Sequence, residues 1–64
     1  MMRPTARELQ CLDYVTRKGA TYETAALALG IAPSTVKEHL TRLYRKLGVR
    51  DRAEAVRIVS GWAA

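Results

Sequence analysis

Sixty-four residues are enough for one small domain. A domain of this size is marginally stable alone, so a partner subunit would help it. A hydrophobic share of 48% argues against disorder, and a net charge of +5 argues for an anionic partner. Ala, Leu, Arg and Glu are plentiful, Phe is absent and no segment alternates strictly, so helices are expected and a sheet is not.

Cys11 is the only cysteine and His39 the only histidine, which excludes an internal disulfide and a cysteine–histidine zinc site. Met1-Met2-Arg3-Pro4 opens no apolar run, and no segment approaches membrane-spanning length. A cytoplasmic, nucleoid-associated protein is expected. The sequence contains no nucleophile–base pair, phosphate loop or paired carboxylates, so neither enzyme activity, a metal, a cofactor nor a small-molecule ligand is expected.

The expected architecture is all-α, one domain over residues 1–64, with helices at about 6–17, 22–29, 33–47 and 52–60. Thr5-Ala6-Arg7-Glu8 reads as a capping box that starts the first helix. Glu8, Cys11, Leu12 and Val15 share its inner face. Cys11 is expected as a small core residue, and Glu8 as a capping-box member or the partner of an Arg at the edge of the core. Lys18-Gly19-Ala20 ends this helix, and Thr21 caps the second, whose inner face is Ala25, Ala26 and Leu29. Gly30 suits a tight turn and Ile31 plugs it into the core.

Pro33 fits the first position of the third helix. At about 100° per residue, Val36, Leu40, Leu43 and Leu47 fall in one stripe. Ser34, Glu38, Thr41, Arg42 and Arg45 fall opposite, with Lys37 and Lys46 on the flanks. From Ala32 to Arg50 the chain has five basic residues (Lys37, Arg42, Arg45, Lys46, Arg50) and one acid, Glu38. That accounts for +4 of the net charge and localises it on one helix. Gly48 ends this helix and Val49 closes over the core. Asp51-Arg52-Ala53-Glu54 reads as a second capping box. In the last helix Ala55, Val56 and Val59 share a face, while Ile58 and Trp62 point elsewhere.

Helix, tight turn and basic amphipathic helix form the layout of a helix-turn-helix DNA reader. Thr5-x-Arg7-Glu8, Gly19-x-Thr21, Ala26-x-x-Leu29-Gly30-Ile31, Thr35-Val36-Lys37-x-His39 and Lys46-Leu47-Gly48-Val49-x-x-Arg52 together resemble the LuxR/GerE-type helix-turn-helix family. The similarity runs from about Thr5 to Val59. It implies a four-helix DNA-binding domain of a bacterial transcription regulator, with the third helix in the major groove and the fourth serving dimerisation. Three positions depart from the family: Ala32 where Ser is common, Ala25 where Ile is common, and Glu38 at a position that faces the bases.

These readings assign base-edge contacts to Lys37, Glu38 and Thr41. Lys can donate to guanine O6 and N7, Glu can accept from cytosine N4, and Thr can touch a thymine methyl. For Glu38 an i,i+4 pair with Arg42 is an equal alternative. Phosphate contacts are assigned to Thr21, Tyr22, Ser34, Thr35, Arg42, Arg45 and Lys46. His39 is expected to serve packing or a hydrogen bond. Dimerisation is assigned to Val56, Val59 and Trp62. The expected partners are double-stranded DNA and a second copy of the chain, with a contact to RNA polymerase; no membrane is expected. A second reading is a protein-interaction adaptor, similar to a sigma-factor region 4, that docks on RNA polymerase or another regulator through Ile58 and Trp62.

Overall fold

A computed structural model describes residues 3–62. Met1 and Met2, read above as opening no apolar run, lie outside the described residues, as do positions 63–64. The chain forms α1 (Ala6–Val15), α2 (Tyr22–Leu29), α3 (Pro33–Leu47) and α4 (Arg52–Trp62), with no strand among the described residues. The all-α, four-helix architecture is as expected, and two helix ends differ.

The capping box of α1 is complete. The Thr5 hydroxyl accepts from the Glu8 amide at 3.1 Å, and the Glu8 carboxylate accepts from the Thr5 amide at 2.9 Å. Expected to reach about Arg17, α1 instead ends at Val15. Continued helix would give the Val15 carbonyl to the Gly19 amide. Arg52, 37 residues away, takes that carbonyl with Nη1 at 3.1 Å. The Thr16 hydroxyl also bonds the Asp13 carbonyl at 3.0 Å, a side-chain competition that favours termination. Gly19 is left-handed as expected, but it lies in the connection and not at the helix end.

Thr21 caps α2 reciprocally with Thr24 in place of the usual Glu. Both α2 and α3 end in the same hydrogen-bonded pattern. At φ +70° Gly30 lets its amide reach the Leu27 carbonyl and lets the Ile31 amide reach Ala26. At φ +69° Gly48 does the same for Arg45, and Val49 for Tyr44. This is the Schellman arrangement, in which the residue after the glycine turns inward. Ile31 and Val49 accordingly pack against the core.

No side chain caps α3 at Ala32. Pro33 has no amide to satisfy, and the Ala32 carbonyl receives both the Thr35 and Val36 amides. Asp51 caps α4 through the Glu54 amide at 3.0 Å, one half of the expected box. Packing of Val56 and Val59 on the core carries α4 past Ser60 to Trp62.

The core consists of Cys11, Leu12 and Val15 from α1, Ala25 and Ala26 from α2, Val36, Leu40 and Leu43 from α3, and Ala55 from α4. The alanines let α2 lie close to α3, which fixes the helix-turn-helix crossing. With its apolar stripe buried, α3 has its polar face turned outward. None of the described helices is long and apolar enough to cross a membrane.

Candidate nucleic-acid interface

Ser34, Lys37, Glu38, Thr41, Arg42 and Arg45 line one shallow depression along the outer face of α3. All six side chains are exposed. They recur at helical spacing because the buried residues Val36, Leu40 and Leu43 occupy the opposite side. The surface is therefore a direct product of the amphipathic pattern. It presents three cations, one carboxylate and two hydroxyls to solvent.

Thr41 is held in a defined orientation. Its hydroxyl donates to the Lys37 carbonyl at 2.9 Å, one turn back. With that proton committed, Thr41 offers outward its methyl and an acceptor oxygen, not a donor. The expected alternative of a Glu38–Arg42 ion pair is not formed. Among the described residues the ion pairs are Arg17–Asp13 and Lys46–Glu8.

Lys46 requires a correction. Assigned above to phosphate, it faces inward instead. Its Nζ donates to both oxygens of Glu8 at 2.9 and 3.0 Å. The pair is largely enclosed, with side-chain exposures of 14% for Lys46 and 3% for Glu8. Glu8 thus plays both expected parts, box member and partner of a core-edge cation, but the cation is Lys46 rather than an Arg. Burial pulls the Glu8 carboxyl upward; the Thr5 amide, the Lys46 ammonium and the charge of His39 outweigh it and hold the carboxyl below its ordinary value. A signal for this pair was present in the sequence. Lys46 stands one heptad after His39 along the border of the apolar stripe, and Glu8 stands on the core face of α1, where a carboxylate needs a partner. His39, expected to serve packing or a hydrogen bond, is half-buried, and its Nδ1 has no hydrogen-bond partner among the described residues.

The remaining expected contacts come from the helix starts. Thr21 and Tyr22 open α2, and both are exposed. Burial pushes the Tyr44 phenol above its ordinary value, with the Tyr22 phenol adding to the shift. Ser34 and Thr35 open α3, with Ser34 exposed and Thr35 half-buried.

On α4, Val56 and Val59, expected at a dimer contact, are half-buried and rest one side on the core of their own chain. The outward apolar surface is Ile58, 37% exposed, and Trp62, 54% exposed, which lie one turn apart.

The model of "Bacterial regulatory proteins, luxR family" matches residues 5–59. A "Probable transcriptional regulatory protein NarL" of Mycobacterium tuberculosis is 50% identical over 52 residues, covering 81% of this chain and 24% of that protein. The "Transcriptional regulatory protein YdfI" of Bacillus subtilis is 46% identical over 54 residues, covering 84% of this chain and 25% of that protein. The "Transcriptional activator protein EchR" of Dickeya chrysanthemi is 44% identical over 45 residues, covering 70% of this chain and 18% of that protein. The chain thus spans a quarter or less of the length of these curated relatives. No solved structure matches it. A family match over most of the chain, on a four-helix fold whose third helix turns a polar, basic face outward, makes the chain a member of the LuxR family of bacterial regulatory proteins.

Proposed function

We propose that this chain is a sequence-specific, double-stranded DNA-binding unit of a transcription regulator. The observation that carries the reading is the outer face of α3, where Lys37, Arg42 and Arg45 stand exposed and free of ion pairs among the described residues. On a surface without nucleic acid to meet, interspersed acids would balance such a run.

In this reading α3 enters the major groove. Lys37, Glu38 and Thr41 address base edges. Arg42 and Arg45 bind phosphates on either side, joined by Ser34 and Thr35 at the start of α3 and by Thr21 and Tyr22 at the start of α2. Lys46 is withdrawn from this set and instead holds α3 to α1. Two copies pair through α4, with Trp62 and Ile58 as the apolar centre and the edges of Val56 and Val59 beside them. A two-fold pair would read two half-sites about one helical turn apart. A single module of this size buries roughly 600–1,000 Å² on DNA, so pairing supplies much of the affinity.

Duplex binding measured against salt tests the reading. The two arginines per chain on phosphate give a log–log slope of about −2 per chain. A flat response rejects phosphate-driven binding.

The exposed Ile58 and Trp62 also support a second reading, in which α4 docks on RNA polymerase. Purified polymerase added without DNA separates the two. Binding that Trp62→Ala abolishes favours the polymerase contact; self-association that Trp62→Ala abolishes favours the dimer.

A further inference from the structure

Glu38 is the single acid in the α3 depression. Lys37 precedes it, and Arg42 and Arg45 follow one and two turns on. The i,i+4 spacing to Arg42 allows an ion pair that is not formed, and no hydrogen bond among the described residues holds the carboxylate. Its side chain is exposed, so it contributes nothing to the core.

Facing a polyanion, an unpaired carboxylate raises the free energy of every complex in which it meets no donor. Donors on the floor of the major groove are few and fixed in place: the N4 amino group of cytosine and the N6 amino group of adenine. Adenine sets its N7 acceptor beside N6, where it repels the second carboxylate oxygen. Cytosine sets no acceptor of its own beside N4 in the groove. Guanine, its pairing partner, offers O6 and N7 to an ammonium such as that of Lys37, the neighbouring residue.

We infer that Glu38 is a specificity gate on α3. It makes cytosine the preferred base at one step of the site, and it lowers affinity for every duplex that does not offer that amino group. The inference rests on the major-groove reading above. It predicts opposite changes when the charge is removed: the matched duplex loses a contact, and unmatched duplexes lose a repulsion. A carboxylate that is merely solvated would shift both affinities upward together.

Selection from a random-sequence duplex library, run in parallel with wild type, Glu38→Ala and Glu38→Gln, tests this directly. Wild type enriches cytosine at one position. That position becomes degenerate in Glu38→Ala and moves toward adenine in Glu38→Gln, because an amide pairs with N6 and N7 together. The ratio of matched to unmatched affinity falls about tenfold in Glu38→Ala. Affinity for a duplex lacking the motif rises by up to about fivefold. An unchanged motif in Glu38→Ala, or weaker binding to the unmatched duplex, overturns the gate and leaves the DNA reading standing. Wild type that binds no duplex in a salt-dependent way overturns both. A lowered melting temperature in both variants assigns Glu38 to the fold and overturns the gate.

Discussion

Lys46 and Glu8, 38 residues apart in the chain, share an enclosed bidentate ion pair at 2.9 and 3.0 Å. The same carboxylate caps α1 through the Thr5 amide. One side chain therefore joins the start of α1 to the last turn of α3, the helix that carries the outward basic face. The rotation of α3 about its axis, and so which residues face outward, depends in part on this pair.

Breaking it from one side leaves a buried charge unmatched. Lys46→Met is expected to destabilise the fold by about 3 kcal/mol, a large fraction of the stability of a domain this small. Glu8→Gln should cost a similar amount and also weaken the cap. The double variant Glu8→Gln/Lys46→Met should recover part of the loss, because no lone charge remains. Urea melts of the four proteins measure this. Single variants within about 0.5 kcal/mol of wild type would contradict a structural role for the pair.

The pair also sets a pH dependence. The Glu8 carboxyl is lowered in the folded state, so its contribution is fully present above its ordinary value and is lost as pH falls through the lowered folded value. Stability should therefore drop as pH falls below the ordinary Glu value of 4.5. Glu8→Gln should remove part of that slope. Equal acid sensitivity in wild type and Glu8→Gln would assign the slope to other carboxylates.

Thr41 gives a test of how α3 reads. Its hydroxyl proton is given to the Lys37 carbonyl, so Thr41 has no donor left for a base and its methyl is the expected reading group. Thr41→Val keeps the methyl and should keep affinity for the selected duplex. Thr41→Ser keeps the hydroxyl and should lose about 1 kcal/mol. Replacing the contacted thymine by uracil should cost wild type the same amount and cost Thr41→Ser nothing further. Titration of labelled duplex gives all four values, and the reverse order for Val and Ser would make the hydroxyl the reading group.

Arg42 and Arg45 should behave differently from Lys37. Arg42→Ala or Arg45→Ala should weaken binding to all duplexes alike and reduce the salt slope by about 1 each. Lys37→Ala should cost about 1–3 kcal/mol on the selected site and relax one base position. If Lys37→Ala weakens every sequence equally, Lys37 belongs with the phosphate contacts.

On α4, Trp62→Ala should leave the melting temperature close to wild type, since the indole is more than half exposed. It should lower cooperative occupancy of paired half-sites. Sedimentation with a two-half-site duplex and with a single half-site separates these effects. Unchanged cooperativity would remove Trp62 from the dimer.

Much of the fold was legible in the sequence because its determinants are local. Thr5 with Glu8, Thr21, and Asp51 with Glu54 begin helices through bonds that span three residues. Gly30 and Gly48 end helices through a backbone conformation that glycine adopts without strain. The outer face of α3 was legible for the same reason, as the complement of the buried stripe Val36, Leu40 and Leu43. What periodicity could not supply was the end of α1 and the partner of Lys46. Each of these depends on an element distant in the chain.

Arg45 and Lys46 make the division concrete. They are adjacent cations in the last turn of one helix, equal in charge and nearly equal in reach. Sequence by itself determined that α3 is a basic amphipathic helix of a helix-turn-helix, because capping, glycine geometry and the 3.6-residue period act within a few residues. Only the tertiary structure decided that Arg45 stays with solvent while Lys46 turns to Glu8. The difference of about 100° between neighbouring residues places one toward α1 and the other away from it. Where α1 lies is fixed by packing across the whole chain, and that no short stretch of sequence contains.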